Sequence, residues 1–457
     1  MTTKRFSLMS ATLALAFAAV ADGTVPTVSD ITLAQDKYTR KITVSYTLEN
    51  GPAIVTASFA TNGVALPAEF AASEFLEGDV DKVVDKADCS FVWDARGAWP
   101  DQKVKDFSVK LTARAVDDPP DYMVVDLMPN VAERVRYFNS TNDLPGGLFG
   151  NAAYRTTQLV MRRIRMKNVP WIMGSAATET RHTAAEEAQH VVTFTNDYWF
   201  SIFPVTQAQY TNALGSAFDF NYKVRGDMRP AESQSVPKLR HCAVSANTFN
   251  AAYHYPHKPH NDSFIGKLRS RTGLDFDLPG EAQWECACRA GTGSSQWNNG
   301  VYFKFENFHK QAAADGDKDM AVGFPGRYQI HSSWNGSGYA TWGALTDPDV
   351  GGTAIVGSYE PNAWGIYDMH GNVWEATLDY KQNDITGPKF AHGEINANGE
   401  NTLDGVAGTG FIFRGGNCGG AGEWFKARSA YRNFVSNGLT QSTAIFGFRV
   451  ICYGTLK

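Results

Sequence analysis

Asn362-Ala363-Trp364-Gly365-Ile366-Tyr367-Asp368-Met369-His370-Gly371-Asn372-Val373-Trp374-Glu375 is the stretch on which the reading of this chain turns. It sets two carboxylates, Asp368 and Glu375, around a Gly371-Asn372 turn that offers backbone carbonyls. Hard cations take such a set of oxygens. A packed aromatic turn with two solvated acids accounts for the same residues, and the chemistry alone divides the two readings evenly.

The texture around this stretch is irregular. Loops rich in Gly, Asn and Trp run from about 290 to 445, and loops this long inside a compact domain are usually functional or held by ions. Two helical stretches precede them. One begins near Thr206, with Gln207, Tyr210 and Leu214; the other is Gly280 to Arg289, with Ala282, Trp284, Glu285 and Cys286. A strand is expected over Gln158 to Met166, and its Arg162, Arg163 and Arg165 read as a solvated basic face.

Further toward the N-terminus the pattern changes to a period of two. Ile42, Val44, Tyr46 and Leu48 alternate with polar residues, as do Val55, Ala57 and Phe59, and then Phe107, Val109, Leu111 and Ala113. Turn signals at Glu49-Asn50-Gly51 and Thr61-Asn62-Gly63 separate them. Short strands with turns between them predict a small Ig-like β-sandwich over 22–116. Asp117-Asp118-Pro119-Pro120 opens a linker over 117–155, and the second domain spans 156–457.

The chain has 457 residues, a net charge of −5, 19% charged and 12% aromatic residues, and 42 glycines. That is not the profile of a disordered chain or a coiled coil. The mild acidity offers no clustered basic face for nucleic acid. Lys4 and Arg5, the apolar run Leu8 to Val20 and the small-x-small Ala19-Val20-Ala21 predict a signal peptide over 1–21. No later stretch is apolar for long enough to form a transmembrane helix. An exported protein is expected, whether periplasmic, secreted or at the cell surface.

Signatures for common catalysis are missing: no His-Glu-x-x-His, no Gly-x-Ser-x-Gly and no Walker loop. Arg414-Gly415-Gly416-Asn417-Cys418-Gly419-Gly420 lacks the Lys-Ser/Thr of a phosphate loop and reads as a tight turn. His254, His257 and His260 would share one face of a polyproline helix, with an exposed polar loop the favoured reading over metal binding. Asp315, Asp317 and Asp319 open like an EF-hand, but Met320 and Gly326 stand where Gly and Glu are needed. An EF-hand is excluded and a looser calcium site is left open. The six cysteines include Cys286-x-Cys288 and no Cys-x-x-Cys, so structural zinc is not expected.

The 362–375 stretch resembles the formylglycine-generating enzyme family, the sulfatase-modifying factors. In chain order, Ile172-Met173-Gly174-Ser175 looks like the family's opening strand and Phe203 to Tyr210 like its first helix. Phe276-Asp277-Leu278-Pro279-Gly280-Glu281-Ala282-Gln283-Trp284-Glu285 looks like its second, with Gly280 where Thr is usual. Phe413-Arg414-Gly415-Gly416, Arg428-Ser429-Ala430-Tyr431-Arg432 and Gly447-Phe448-Arg449-Val450 resemble its closing segment. The resemblance implies an α+β, loop-rich, C-type-lectin-like fold over about 156–457, preceded by the all-β sandwich. It also implies structural calcium, with Asp368 and Glu375 as side-chain ligands and Gly371 and Val373 offering carbonyls. A disulfide between Cys288 and Cys452 follows from the family's helix-to-last-strand pairing.

One departure bears on activity. Active family members use copper and O₂ to oxidise a sulfatase cysteine to formylglycine, holding the metal with two cysteines after the Arg-Gly-Gly turn. Soft thiolates suit Cu(I). Here the segment has Cys418, and the pair's positions fall near Gly420 and Trp424 to Phe425. Cys418 is the weak catalytic candidate, Cys242 a distant one to complete a pair, and Cys286 and Cys242 are expected to be packed. The expectation is a calcium-stabilised, non-catalytic member binding a glycan or an exported protein. The alternative is a copper-dependent formylglycine-generating oxidase acting on an exported sulfatase.

Overall fold

The computed structural model describes residues 25–71, 75–131, 134–179, 182–215, 225–242, 248–254, 257–292, 353–380, 410–418, 424–435 and 445–453. The expected signal peptide, the Asp315–Asp319 run and Gly420 lie outside them.

Eight strands form the N-terminal part: β1 (Thr27–Gln35), β2 (Ile42–Glu49), β3 (Ala53–Thr61), β4 (Val64–Ala65), β5 (Leu76–Gly78), β6 (Lys82–Val84), β7 (Asp88–Trp93) and β8 (Phe107–Ala115), with a one-turn helix α1 (Ala95–Ala98). One sheet has the order β1-β2-β7-β5; in the other, β3 pairs β4 and β6 along one edge and β8 along its opposite edge. On β2, Ile42, Val44, Tyr46 and Leu48 are buried while the residues between them are less so. That is the period of two that a half-buried strand imposes. The inward residues meet in one apolar core in which Trp93 stacks on both Phe59 and Phe107, with ring centroids 4.6 and 5.0 Å away.

The segment read as a linker carries structure of its own. β9 (Tyr122–Asp126) and β10 (Val135–Phe138) join β11 (Gln158–Ile164) at one end of a six-stranded sheet. Further along come β12 (Pro170–Met173), α2 (Ala184–Glu187), β13 (His190–Thr193), β14 (Tyr198–Ser201), α3 (Gln207–Leu214), α4 (Phe264–Thr272), β15 (Asp275–Asp277), α5 (Glu281–Arg289), β16 (Trp374–Tyr380), β17 (Phe411–Arg414), β18 (Asn433–Val435), β19 (Phe446–Gly447) and β20 (Ile451–Tyr453). The six-stranded order is β10-β9-β11-β14-β20-β15, so the last strand of the chain lies between β14 and β15. β12 pairs β13, and a third sheet runs β18-β17-β16-β19. Sheet-rich, with few and short helices, this is the α+β, loop-rich fold expected.

Helix starts follow local rules. Thr206 Oγ1 accepts from Gln209 N at 3.1 Å while Gln209 Oε1 accepts from Thr206 N at 2.9 Å, a reciprocal cap at the head of α3. At α5 the residue in that place is Gly280, which has no side chain to give. Only the return bond is kept, from Gly280 N to Gln283 Oε1 at 2.8 Å.

The arginines read as a solvated face are clamps on the interdomain crossing. Arg163 is 7% exposed; it donates to Asp118 Oδ1, Pro119 O and Asp197 Oδ2, each at 2.8 Å. Arg165 adds bonds to Asp121 Oδ1 at 2.8 Å and Asp118 Oδ1 at 2.6 Å. Against the cost of burial, these two guanidinium groups hold the Asp118 carboxyl below its usual range. The Asp-Asp-Pro-Pro crossing is thereby tied down side by side with β11. Ile54 of β3 packs into the main core of the second part, and Tyr137 N donates to Asp81 O at 3.1 Å across the seam.

Candidate functional site

The 362–375 turn is built by backbone that few residues tolerate. Asp368, Gly371 and Asn372 have φ of 56°, 95° and 67°. Gly371 N donates to Gly415 O at 2.6 Å, which lays the Arg-Gly-Gly turn directly on it. Gly415 has φ of +92°, and a Cβ there would meet Trp284 Cζ2 at 3.0 Å. A Cβ at Gly416 would meet Ala427 Cα at 2.9 Å. The pair of glycines is therefore a requirement of close approach, not of phosphate binding. Cys418 N then donates to Asn372 O at 3.1 Å.

The four residues assigned to calcium share this turn, but their side chains are differently committed. Arg449 Nε lies 2.8 Å from both oxygens of Glu375, and Trp284 Nε1 donates to Glu375 Oε2 at 2.6 Å. Arg449 in turn is fixed by the carbonyls of Ile202, at 2.9 Å, and Tyr367. Asp368 Oδ2 accepts from Gly357 N at 2.7 Å, while its buried Oδ1 has no hydrogen-bond partner among the described residues. Burial pushes the Asp368 carboxyl up to about 6, against the pull of the Gly357 N–H, of Arg449 and of the neighbouring Asn372 side chain. Of the two carboxylates, Asp368 keeps an oxygen, Oδ1, that a cation could take, whereas both oxygens of Glu375 already accept from Arg449.

Beneath the turn lies a network of buried charge that pattern reading of the sequence did not find. Glu281, Glu285 and Arg289 are spaced four apart on one face of α5. Glu285 pairs with Arg289 at 2.7 Å and with Arg414. Glu281 pairs with Arg432 at 2.5 Å and faces Arg414 at 3.5 Å. Arg428 binds Glu187 at 2.7 Å and Glu179 at 2.6 Å. Asp379 accepts from Glu281 N, and burial together with the Glu281 charge pushes its carboxyl upward. Among the described residues, five arginines (289, 414, 428, 432, 449) thus face six carboxyl groups (179, 187, 281, 285, 375, 379). The signal available was that every closing motif (Phe-Arg-Gly-Gly, Arg-Ser-Ala-Tyr-Arg, Gly-Phe-Arg) carries an arginine, in a chain with only 19% charged residues.

The expected Cys288–Cys452 disulfide is not formed, and neither residue carries a disulfide. Cys288 Sγ donates to Ser429 Oγ at 3.4 Å and lies 3.6 Å from His370 Nε2, whose Nδ1 donates to Ala427 O at 2.7 Å. Cys452 sits on β20 opposite Trp199 and Phe276, and its thiol points to Tyr453 O at 3.5 Å. The two sulfurs belong to separate apolar clusters, one on each side of the six-stranded sheet's last strand. Burial pushes the Cys288 thiol up to about 12 and the His370 imidazole down to about 4, so this contact is neutral. Cys286 is buried beside Tyr198, with its thiol also pushed up. Cys242 donates to Pro237 O at 3.0 Å, and Cys418 is buried at the end of the Gly-Gly turn.

The three histidines do not share a face. His254 Nδ1 lies 3.3 Å from His241 Nε2 within a cluster containing Phe249 and Phe411. His260 packs its ring against Tyr253 at 4.8 Å, and His257 is exposed. Burial lowers His254 to about 4, so the ring in the cluster is neutral.

Comparison with known proteins gives one family and a set of distant folds. A family model described as sulfatase-modifying factor enzyme 1-like domain matches residues 155–453. No curated protein matches the chain. Among solved structures, PvdO from Pseudomonas aeruginosa is 21% identical, with a TM-score of 0.44 over 64% of this chain and 94% of that one. Treponema denticola variable protein 1 is 20% identical, with a TM-score of 0.40 over 65% and 95%. CarF is 14% identical, with a TM-score of 0.30 over 64% and 98%. With the matched segment covering well over half of its length, this chain belongs to the sulfatase-modifying factor enzyme 1-like domain family.

Proposed function

We propose that the chain is an exported, non-catalytic binding member of this family, recognising a glycan or an exported protein. One observation carries the reading. The turn after Arg414 ends on a single thiol, Cys418, and Gly420 and Trp424 to Phe425 stand where the family's copper cysteines fall. The thiols of Cys286, Cys288 and Cys452 are pushed up by burial and serve the core. A thiol attacks or binds copper as the thiolate, the form that burial in an apolar core disfavours.

Calcium enters this reading at Asp368, whose Oδ1 is the open carboxylate oxygen of the turn. Glu375 joins only if it gives up Arg449. Calcium is then expected to raise the melting temperature of the wild type and to leave Asp368→Asn unmoved.

Incubating the purified chain with copper, O₂ and a cysteine peptide of the sulfatase type, read by mass spectrometry, tests the main claim. The peptide is expected to keep its thiol. Conversion to the aldehyde, lost in Cys418→Ser, would establish the oxidase reading in its place.

A further inference from the structure

We propose that the seam between the two parts holds a binding site for a primary ammonium group, carried by a small alkylamine or by a lysine side chain. The site is a cavity of about 180 Å³. Its floor is the outer face of the second sandwich sheet, where Thr56 and Thr112, and Ser58 and Lys110, are cross-strand neighbours. Its roof is Tyr137 to Asn139 and Asp143 from the other part, with Asn139 Nδ2 donating to Thr56 Oγ1 at 3.4 Å.

The cavity exists because β3 lacks a neighbour along part of one edge. It pairs β6 over Ala53–Val55 and β4 over Ala60–Thr61, which leaves a notch between. Along that edge, Val55 O accepts from Asp81 N and Phe59 O accepts from Leu66 N. The Ala57 N–H is near enough to the Asp81 carboxyl to favour its charged form. In an antiparallel strand the N–H and C=O of one residue point to the same side. Ala57 C=O therefore also faces the notch, and no described residue donates to it. An edge carbonyl left open in this way can accept from water or from a ligand.

Asp81 makes the site selective. It is 5% exposed, holds φ of 56° and forms no ion pair with any lysine or arginine among the described residues. Burial pushes its carboxyl up to about 7, opposed by Arg136 at a distance and reinforced by Asp143. Two acceptors, a carboxylate and a carbonyl, thus face a space lined by the hydroxyls of Thr56, Ser58 and Thr112, with the exposed Lys110 also on its floor. An ammonium group supplies three donors and a positive charge that Asp81 has in no ion pair among the described residues. A buried carboxylate with no cation paired to it otherwise takes up a proton instead.

Isothermal titration of the full chain at pH 8 and fixed ionic strength tests this, with n-butylamine as probe and 1-butanol as its uncharged analogue. Butylammonium is expected to bind saturably and about tenfold or more tightly than butanol, a gap that Asp81→Asn removes. Thr112→Leu fills the cavity from the sheet without touching Asp81 and is expected to weaken butylammonium by about tenfold. That variant decides the matter should Asp81→Asn not fold. Nα-acetyl-lysine amide separates the two sources: binding alongside butylamine assigns a lysine side chain, and binding of butylamine alone assigns a free amine. Equal, non-saturating responses to butylammonium and butanol, or unchanged binding in both variants, would overturn the proposal.

Discussion

Trp93 and Arg414 are both fully enclosed, yet they hold their surroundings by opposite means. Trp93 fills the sandwich by stacking on Phe59 and Phe107 and spends its one polar atom on Phe70 O at 2.7 Å. Arg414 lies over the Trp284 ring at 5.5 Å and is held by Glu285, Glu281 and the Tyr431 carbonyl. The apolar interior tolerates a change of shape at the cost of a cavity. The ionic interior tolerates removal of a whole pair better than removal of one partner, because the survivor is left charged and dry. Short strands in the N-terminal part can close their core locally. In the second part arginines tie together segments far apart in the chain, Arg414 to Glu285 and Arg428 to Glu187 among them.

The largest expected effect breaks the ionic side of that contrast. Glu285→Ala leaves Arg289 and Arg414 without their shared partner and is expected to cost about 3–5 kcal/mol. Urea unfolding followed by tryptophan fluorescence measures it; a loss under about 1 kcal/mol would mean the network contributes little.

Next in size is a gain. Asp368 has its folded pKa raised to about 6 from an ordinary value of 3.8. Its contribution to stability is therefore fully present below about pH 3.8 and is lost as pH rises through about 6. Asp368→Asn keeps the acceptor for Gly357 N and removes that loss. In EDTA it is expected to be more stable than wild type by about 1–3 kcal/mol at pH 8, with the gap closing toward pH 4. Thermal melts of both proteins at the two pH values check the sign, and an Asn variant less stable at pH 8 contradicts it.

Arg163→Met tests whether the crossing is clamped. Losing charge-assisted bonds to Asp118 and Asp197, the variant is expected to fall by about 1–2 kcal/mol and to expose 117–121 to hydrogen exchange. Unchanged exchange in that segment would show that the prolines alone hold it. The smallest effect belongs to the apolar side: Trp93→Phe, which loses one ring and the bond to Phe70 O, is expected to cost about 1–2 kcal/mol in differential scanning calorimetry. A larger loss there than in Glu285→Ala would reverse the comparison.

What could be read in advance follows the range of the interactions. Ile42, Val44, Tyr46 and Leu48 announce their strand because its period lies within eight residues. Thr206 and Gln209 announce a helix start for the same reason. The Arg-Gly-Gly and Gly-Asn turns were legible as turns, and the family resemblance placed them in one domain. The partners of the arginines were not legible. Arg428 finds Glu187, and Arg449 finds Glu375, across separations of 241 and 74 residues, and nothing local marks either pair. β9 and β10 were hidden in a segment whose prolines and glycines read as linker. Cys288 and Cys452 follow the family's spacing only approximately, and burial in separate clusters keeps each as a thiol.

The central functional claim, that Cys418 has no partner thiol able to hold copper, is met most directly by copper(I) competition. The reduced chain is titrated against a chromophoric Cu(I) chelator in the absence of O₂. The account predicts that the chelator keeps all the metal, with identical curves for wild type and Cys418→Ser. One equivalent of copper retained by the wild type and released by Cys418→Ser would contradict it.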